Sequence, residues 1–261
     1  MAIYKITDSE YEKYIRLVIH RDQLQKEAGI YEQDYIREFG DEMYSLYEVK
    51  VKCIELKKMI HYCQAQVNCG QSLHAEDLEK TIRLEMNGYY QELKAMMQDL
   101  KAVKECKIVP VHVALNAKRF YREIAKMIHP DICPAAKEDE ILAELWQRAV
   151  HAYHMNNEDE LQQIKILSMH RMGELGMNVD SEINIEDLDG KIAALEQEID
   201  TIMNTDPYQF RELLMKDELV DEKHEEILDE MEHYQKYRIE LEEILDMFLN
   251  GGDVRILWSK D

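Results

Sequence analysis

The chain has 261 residues, 46% of them hydrophobic, enough for one large domain or two smaller ones with a buried core. Its formal charge of −22 and pI near 4.9 create a field that repels polyanions, which argues against nonspecific binding to nucleic acid or to an anionic membrane surface and leaves such contacts only to a local basic patch. Only 9 glycines and 4 prolines interrupt long runs rich in Glu, Lys, Leu, Met and Gln, so the composition predicts an all-α fold.

In chain order, Met1 to Ser9 is polar and lacks the charged-then-apolar pattern of a secretory leader, and no window approaches a transmembrane length. Asp8 and Ser9 are N-cap types, and Tyr14, Ile15, Val18, Ile19 and Leu24 then recur near helical spacing up to Gly29, which reads as a C-cap. From Tyr31 to Val67 a second apolar stripe runs through Phe39, Leu46, Cys53 and Ile60, with Gly40 as a weak point or kink. Asn68-Cys69-Gly70 stops it, Ser72 offers a new cap, and Leu78, Ile82, Met86, Leu93, Leu100 and Val103 mark the next helix, antiparallel to the one before.

Pro110 breaks the pattern within Ile108 to Val113, and helical spacing resumes from Lys118 to Ile128. Further helices are expected over Lys137 to Tyr153 and Glu158 to Leu175, the latter ended by Gly176. Beyond the acidic stretch Asn178 to Asp189, Lys191 to Met203 and Asp217 to Leu249 read as a second coiled hairpin around Asp206-Pro207. The apolar tail Val254, Ile256, Leu257 and Trp258 is expected to fold back onto a helix. The expected organisation is therefore an N-terminal helical hairpin or bundle (1–107), a central segment (108–176) and a C-terminal hairpin with an apolar tail (177–261), with the long antiparallel hairpins coiled-coil-like.

Lys118, Arg119, Arg122 and Lys126 lie on one short helix opposed only by Glu123, a basic island in an acidic chain. The island ends at His129-Pro130-Asp131, where proline stops the helix and the His and Asp side chains are presented on the turn. Such a tripeptide arises by accident in on the order of one chain in a hundred of this length, so its surroundings decide its meaning. Before it, Phe120, Tyr121, Ile124, Ala125 and Ile128 form an apolar face; after it, Leu142, Leu145, Trp146, Ala149 and Tyr153 form another.

Through Tyr121-Arg122-Glu123-Ile124-Ala125, His129-Pro130-Asp131 and Trp146-Gln147-Arg148-Ala149-Val150-His151-Ala152-Tyr153, residues 114–165 resemble the J domain of DnaJ-type co-chaperones. The resemblance implies a J-domain-like hairpin whose basic helix docks on an acidic surface of a DnaK-type chaperone while the His-Pro-Asp turn stimulates ATP hydrolysis by that partner. Asp131 would accept hydrogen bonds from an arginine of the chaperone, in an encounter steered by Lys118, Arg119, Arg122 and Lys126. The chain departs from the family pattern at Met127, Ile128 and Ile132, and no Tyr-x-x-Leu-Gly first helix precedes residue 116; the helix ending near Lys104 is the expected substitute. No Gly/Phe-rich segment or zinc-binding array follows, so a client protein or a second copy of the chain would be met by the helical flanks.

Other clusters read more plainly. Five cysteines without a CxxC pair fit a reducing cytoplasm, and His61, Cys63 and Cys69 match no zinc spacing, so neither a metal nor a cofactor is expected. Trp146 and Tyr153 read as core, as do Met86, Met96 and Met97, and Glu225, Glu226, Asp229, Glu230 and Glu232 read as a solvated helix face. Without a phosphate-cradling loop or nucleophile elbow, the chain is expected to catalyse nothing itself. The rival to a co-chaperone is a helical adaptor that carries a degenerate J-like hairpin.

Overall fold

A computed structural model of the chain describes residues 8–70, 74–106, 109–177 and 187–250. Among them the regular elements are all helical: α1 (Asp8–Asn68), α2 (Ala75–Glu105), α3 (Val111–Ile128), α4 (Pro134–Glu138), α5 (Glu140–His154), α6 (Glu158–Glu174), α7 (Leu188–Met203), α8 (Phe210–Leu214) and α9 (Asp217–Asn250). The all-α expectation holds. The apolar tail around Trp258, the cap at Ser72 and most of the acidic stretch after Asn178 lie outside the described residues.

The expected break at Gly29 is not there, because α1 runs uninterrupted for 61 residues. Gly29 has helical neighbours on both sides and open space where a Cβ would stand, so it costs some helix propensity without ending the helix. Gly40 has a packing reason: a Cβ there would meet Leu100 Cδ1 at 2.8 Å. Pro110 starts a helix at Val111, as a residue with a fixed φ and no needed N–H can. The helix expected over Lys137 to Tyr153 is split at Asp139, whose side chain accepts from the Leu142 N–H and caps α5.

Contacts gather the chain into two units, Met1–Glu32 with Lys107–Phe210, and Gln33–Cys106 with Arg211–Asp261. This grouping differs from three consecutive segments, because α1 contributes its first part to one unit and the remainder to the other. The two helices expected to form a C-terminal hairpin, α7 and α9, fall in different units. In the second unit Val51, Leu56, Ile60 and Cys63 of α1 pack with Leu78, Ile82 and Met86 of α2 and with Leu241, Leu245 and Phe248 of α9.

The first unit is built on α3, α5 and α6. Ala117, Phe120, Tyr121, Ile124, Ala125 and Ile128 of α3 interlock with Leu142, Leu145, Trp146, Ala149 and Tyr153 of α5 and with Leu161 and Ile164 of α6. The alanines at 117, 125 and 149 are fully buried, which lets the helices approach closely. Ile19 of α1 joins this cluster, and a neighbouring one joins Tyr14 and Val18 of α1 to Leu188, Ile192 and Leu195 of α7. Within this unit the beginning of α1 covers the hairpin, through Ile19.

Candidate functional site

The turn between α3 and α4 is set by the chain's own chemistry. His129 caps α3 with an extended backbone (φ −60°, ψ 129°), as a residue before proline must, and its N–H still donates to the Ala125 carbonyl. Its own carbonyl accepts from the N–H groups of Ile132 and Cys133, at 2.9 and 2.7 Å, closing a compact loop. The Asp131 N–H donates to His129 Nδ1 at 3.0 Å. Nδ1 is thus an acceptor, which leaves the proton of the neutral ring on Nε2.

That Nε2 faces α1. It lies 3.5 Å from Asp22 Oδ2, and the ring stands edge-on to Trp146 with centroids 4.4 Å apart. Only 4% of His129 is exposed. Asp22 also accepts from the Tyr121 hydroxyl at 2.7 Å and from Arg21. Burial by itself would raise the Asp22 pKa, but the hydrogen bonds from His129, Tyr121 and Arg21 outweigh it and hold the carboxyl below its ordinary range. Burial, with Asp22 beside it, pushes the Tyr121 hydroxyl far up, so it remains a donor across the accessible pH range.

Asp131 is the open member of the motif, with 46% of its side chain exposed. Its Oδ2 lies 3.4 Å from Arg21 Nη1 and 3.9 Å from His129 Nδ1. A hollow of about 290 Å³ opens beside the turn, bounded by Gln25 of α1, Pro130, and Val150 and His154 of α5. The four basic residues lie together on α3: Arg119, Arg122 and Lys126 are exposed and Lys118 is half-buried, lining a shallow groove with Leu115 and Glu123. Burial and the neighbouring Arg122 pull the Lys118 pKa down.

The three departures from the J-domain pattern have a packing account. Ile128 is buried in the hairpin core and Met127 packs against it. Ile132 is fully buried among Tyr14, Val18, Leu188 and Ile192, and its carbonyl accepts from the Tyr11 hydroxyl at 3.3 Å. A basic side chain at that position would be driven under α1 and α7.

Residues of α1 that sequence reasoning left unmarked complete the site. Arg21 and Asp22 flank the turn, Gln23 accepts from Arg122 at 3.1 Å, and Lys26 is 8% exposed, donating to the Tyr153 carbonyl at 2.8 Å and to Asn156 Oδ1 at 2.7 Å. Lys26 also sits 3.8 Å from the centroid of the Tyr153 ring, which stacks on Tyr121. The available signal was a charged trio, Arg21, Asp22 and Lys26, on the same stretch of helix as Val18 and Leu24; it looks like an ordinary solvated edge until a partner helix is placed over it. Trp146 and Tyr153 are core, as expected, but Trp146 also orients His129.

Elsewhere the side chains read plainly. Cys53 and Cys63 are buried in the second unit, where burial pushes both thiols up and away from nucleophilic thiolate. Met86 is core, Met96 half-buried and Met97 exposed. Among the described residues no group of three His, Cys, Asp or Glu side chains could hold a metal ion, and no helix is long and apolar enough to cross a membrane. Comparisons with family models, with curated proteins and with solved structures each gave no match.

Proposed function

We propose that this chain is a J-domain-like co-chaperone that acts in the cytoplasm, docking on a DnaK-type chaperone through α3 and stimulating its ATPase through the His129-Pro130-Asp131 turn. The observation that carries the reading is the joint placement of an exposed Asp131 at the end of a helix whose exposed face bears Arg119, Arg122 and Lys126, in a chain of net charge −22. Local basic charge of this kind steers an acidic surface towards the turn, and a half-exposed carboxylate accepts a guanidinium once it arrives. The chain itself hydrolyses nothing in this reading. Steady-state ATP turnover by the chaperone, measured with the wild type, His129→Gln and Asp131→Asn, tests it: stimulation by the wild type alone is expected, and equal turnover with all three would remove the mechanism.

The burial of His129 supports a second reading, an adaptor in which the hairpin is a structural remnant and the helical flanks bind a client or a second copy. Under that reading none of the three proteins changes turnover, while association through apolar faces persists at high ionic strength.

A further inference from the structure

Arg21 distributes its donors unevenly. Nε and Nη2 both donate to Asp22 Oδ1, at 3.0 and 2.8 Å, whereas the remaining nitrogen, Nη1, makes a single long contact of 3.4 Å to Asp131 and lies 3.7 Å from Glu198 of α7. Asp22 is the anchor, and the contact to Asp131 is the loose edge of a guanidinium held elsewhere. Arg21 itself is mostly covered, with 16% of its side chain exposed, while Asp131 remains open to the hollow beside the turn.

We propose that Arg21 is a built-in competitor for Asp131, occupying the carboxylate that a partner's guanidinium must take and thereby restraining the J-like turn. The inference rests on the co-chaperone reading given above. Exchange needs no displacement of α1: an incoming guanidinium enters through the hollow, takes Asp131, and leaves the Nη1 edge of Arg21 compensated by Glu198 and its other edge by Asp22. The restraint is therefore reversible and acts on the affinity of the encounter. It also accounts for a turn whose histidine is fixed while its carboxylate stays accessible: His129 Nδ1 holds the Asp131 backbone in place whichever guanidinium the side chain pairs with.

The test is a titration of a DnaK-type chaperone with the full chain, reading the concentration that gives half-maximal ATPase stimulation. Arg21→Gln removes the competing charge; Arg21→Lys keeps a charge beside Asp22 but lacks the planar fork that spans both carboxylates. Both are expected to lower the half-maximal concentration several-fold, and Asp131→Asn added to either is expected to abolish stimulation. Helical circular dichroism identifies the folded variants, and the Lys variant keeps the test alive if the Gln variant does not fold. Half-maximal concentrations equal to wild type, with stimulation still lost in Asp131→Asn, would overturn the competitor role and leave the co-chaperone reading standing. No stimulation by any of the proteins would overturn both.

Discussion

Tyr121, Asp22 and His129 form one hydrogen-bonded unit, so substitutions in it should be felt in stability before they are felt anywhere else. Tyr121→Phe removes a donor from a largely buried carboxylate and is expected to cost about 1.5–3 kcal/mol, measured from the denaturant midpoint. Because the folded-state pKa of Asp22 is depressed, its contribution is fully present above the ordinary carboxylate value of about 3.9 and fades as pH falls below it. Acid unfolding of Asp22→Asn should therefore be less steep than that of the wild type. Lys26 runs the other way. Burial, with Lys118 nearby, pulls it to about 8 from the ordinary lysine value of 10.5, so between those values the unfolded chain holds a proton that the folded one has lost. Stability is expected to rise with pH from about 8, until ionisation of tyrosines in the unfolded chain, near pH 10, reverses the trend. Lys26→Met should flatten the rise.

At the scale of elements, the glycines of α1 distinguish a continuous helix from two helices joined at a cap. Gly29→Ala is expected to stabilise the protein by roughly 0.5–1 kcal/mol, since the site is helical and open; at a left-handed C-cap the same change would destabilise. Gly40→Ala is expected to destabilise, because Leu100 must move to admit the new Cβ. In the hairpin, Leu142→Ala at a fully buried position should cost about 2–5 kcal/mol in a thermal or denaturant melt. The helix types and most of their ends were legible in the sequence, since a cap such as Asn157 acts through a neighbour three residues away. The union of the first two expected helices was not. A glycine in open helical space and a glycine at a cap have the same local sequence.

At the scale of the molecule, the contrast between net charge and the α3 surface sets how a partner would be met. If the chain docks as proposed, through Arg119, Arg122 and Lys126, its affinity for a DnaK-type chaperone should fall as salt rises, because exposed charges are screened beyond a Debye length of about 10 Å at 0.1 M. Binding measured between low and high ionic strength checks this; salt-independent binding would direct attention to the apolar helix faces. The division into two units also bears on how the chain is dissected. Residues 108–176 lack α1 and α7, whose Tyr14, Val18, Leu188 and Ile192 bury Ile132, so that segment alone should melt well below the full chain.

By itself the sequence determined that the chain is helical, where its apolar faces lie, and that His129-Pro130-Asp131 ends a basic helix. These follow from interactions within a few residues or from the period of one helix face. What covers the turn was decided only by tertiary structure. Arg21 and Asp22 stand more than one hundred positions from Asp131, and nothing in their local spacing distinguishes a charge that will be buried against a histidine from one left in water. The same long-range contact explains Ile132, which reads as a departure from a pattern until Tyr14 and Leu188 are seen to cover it.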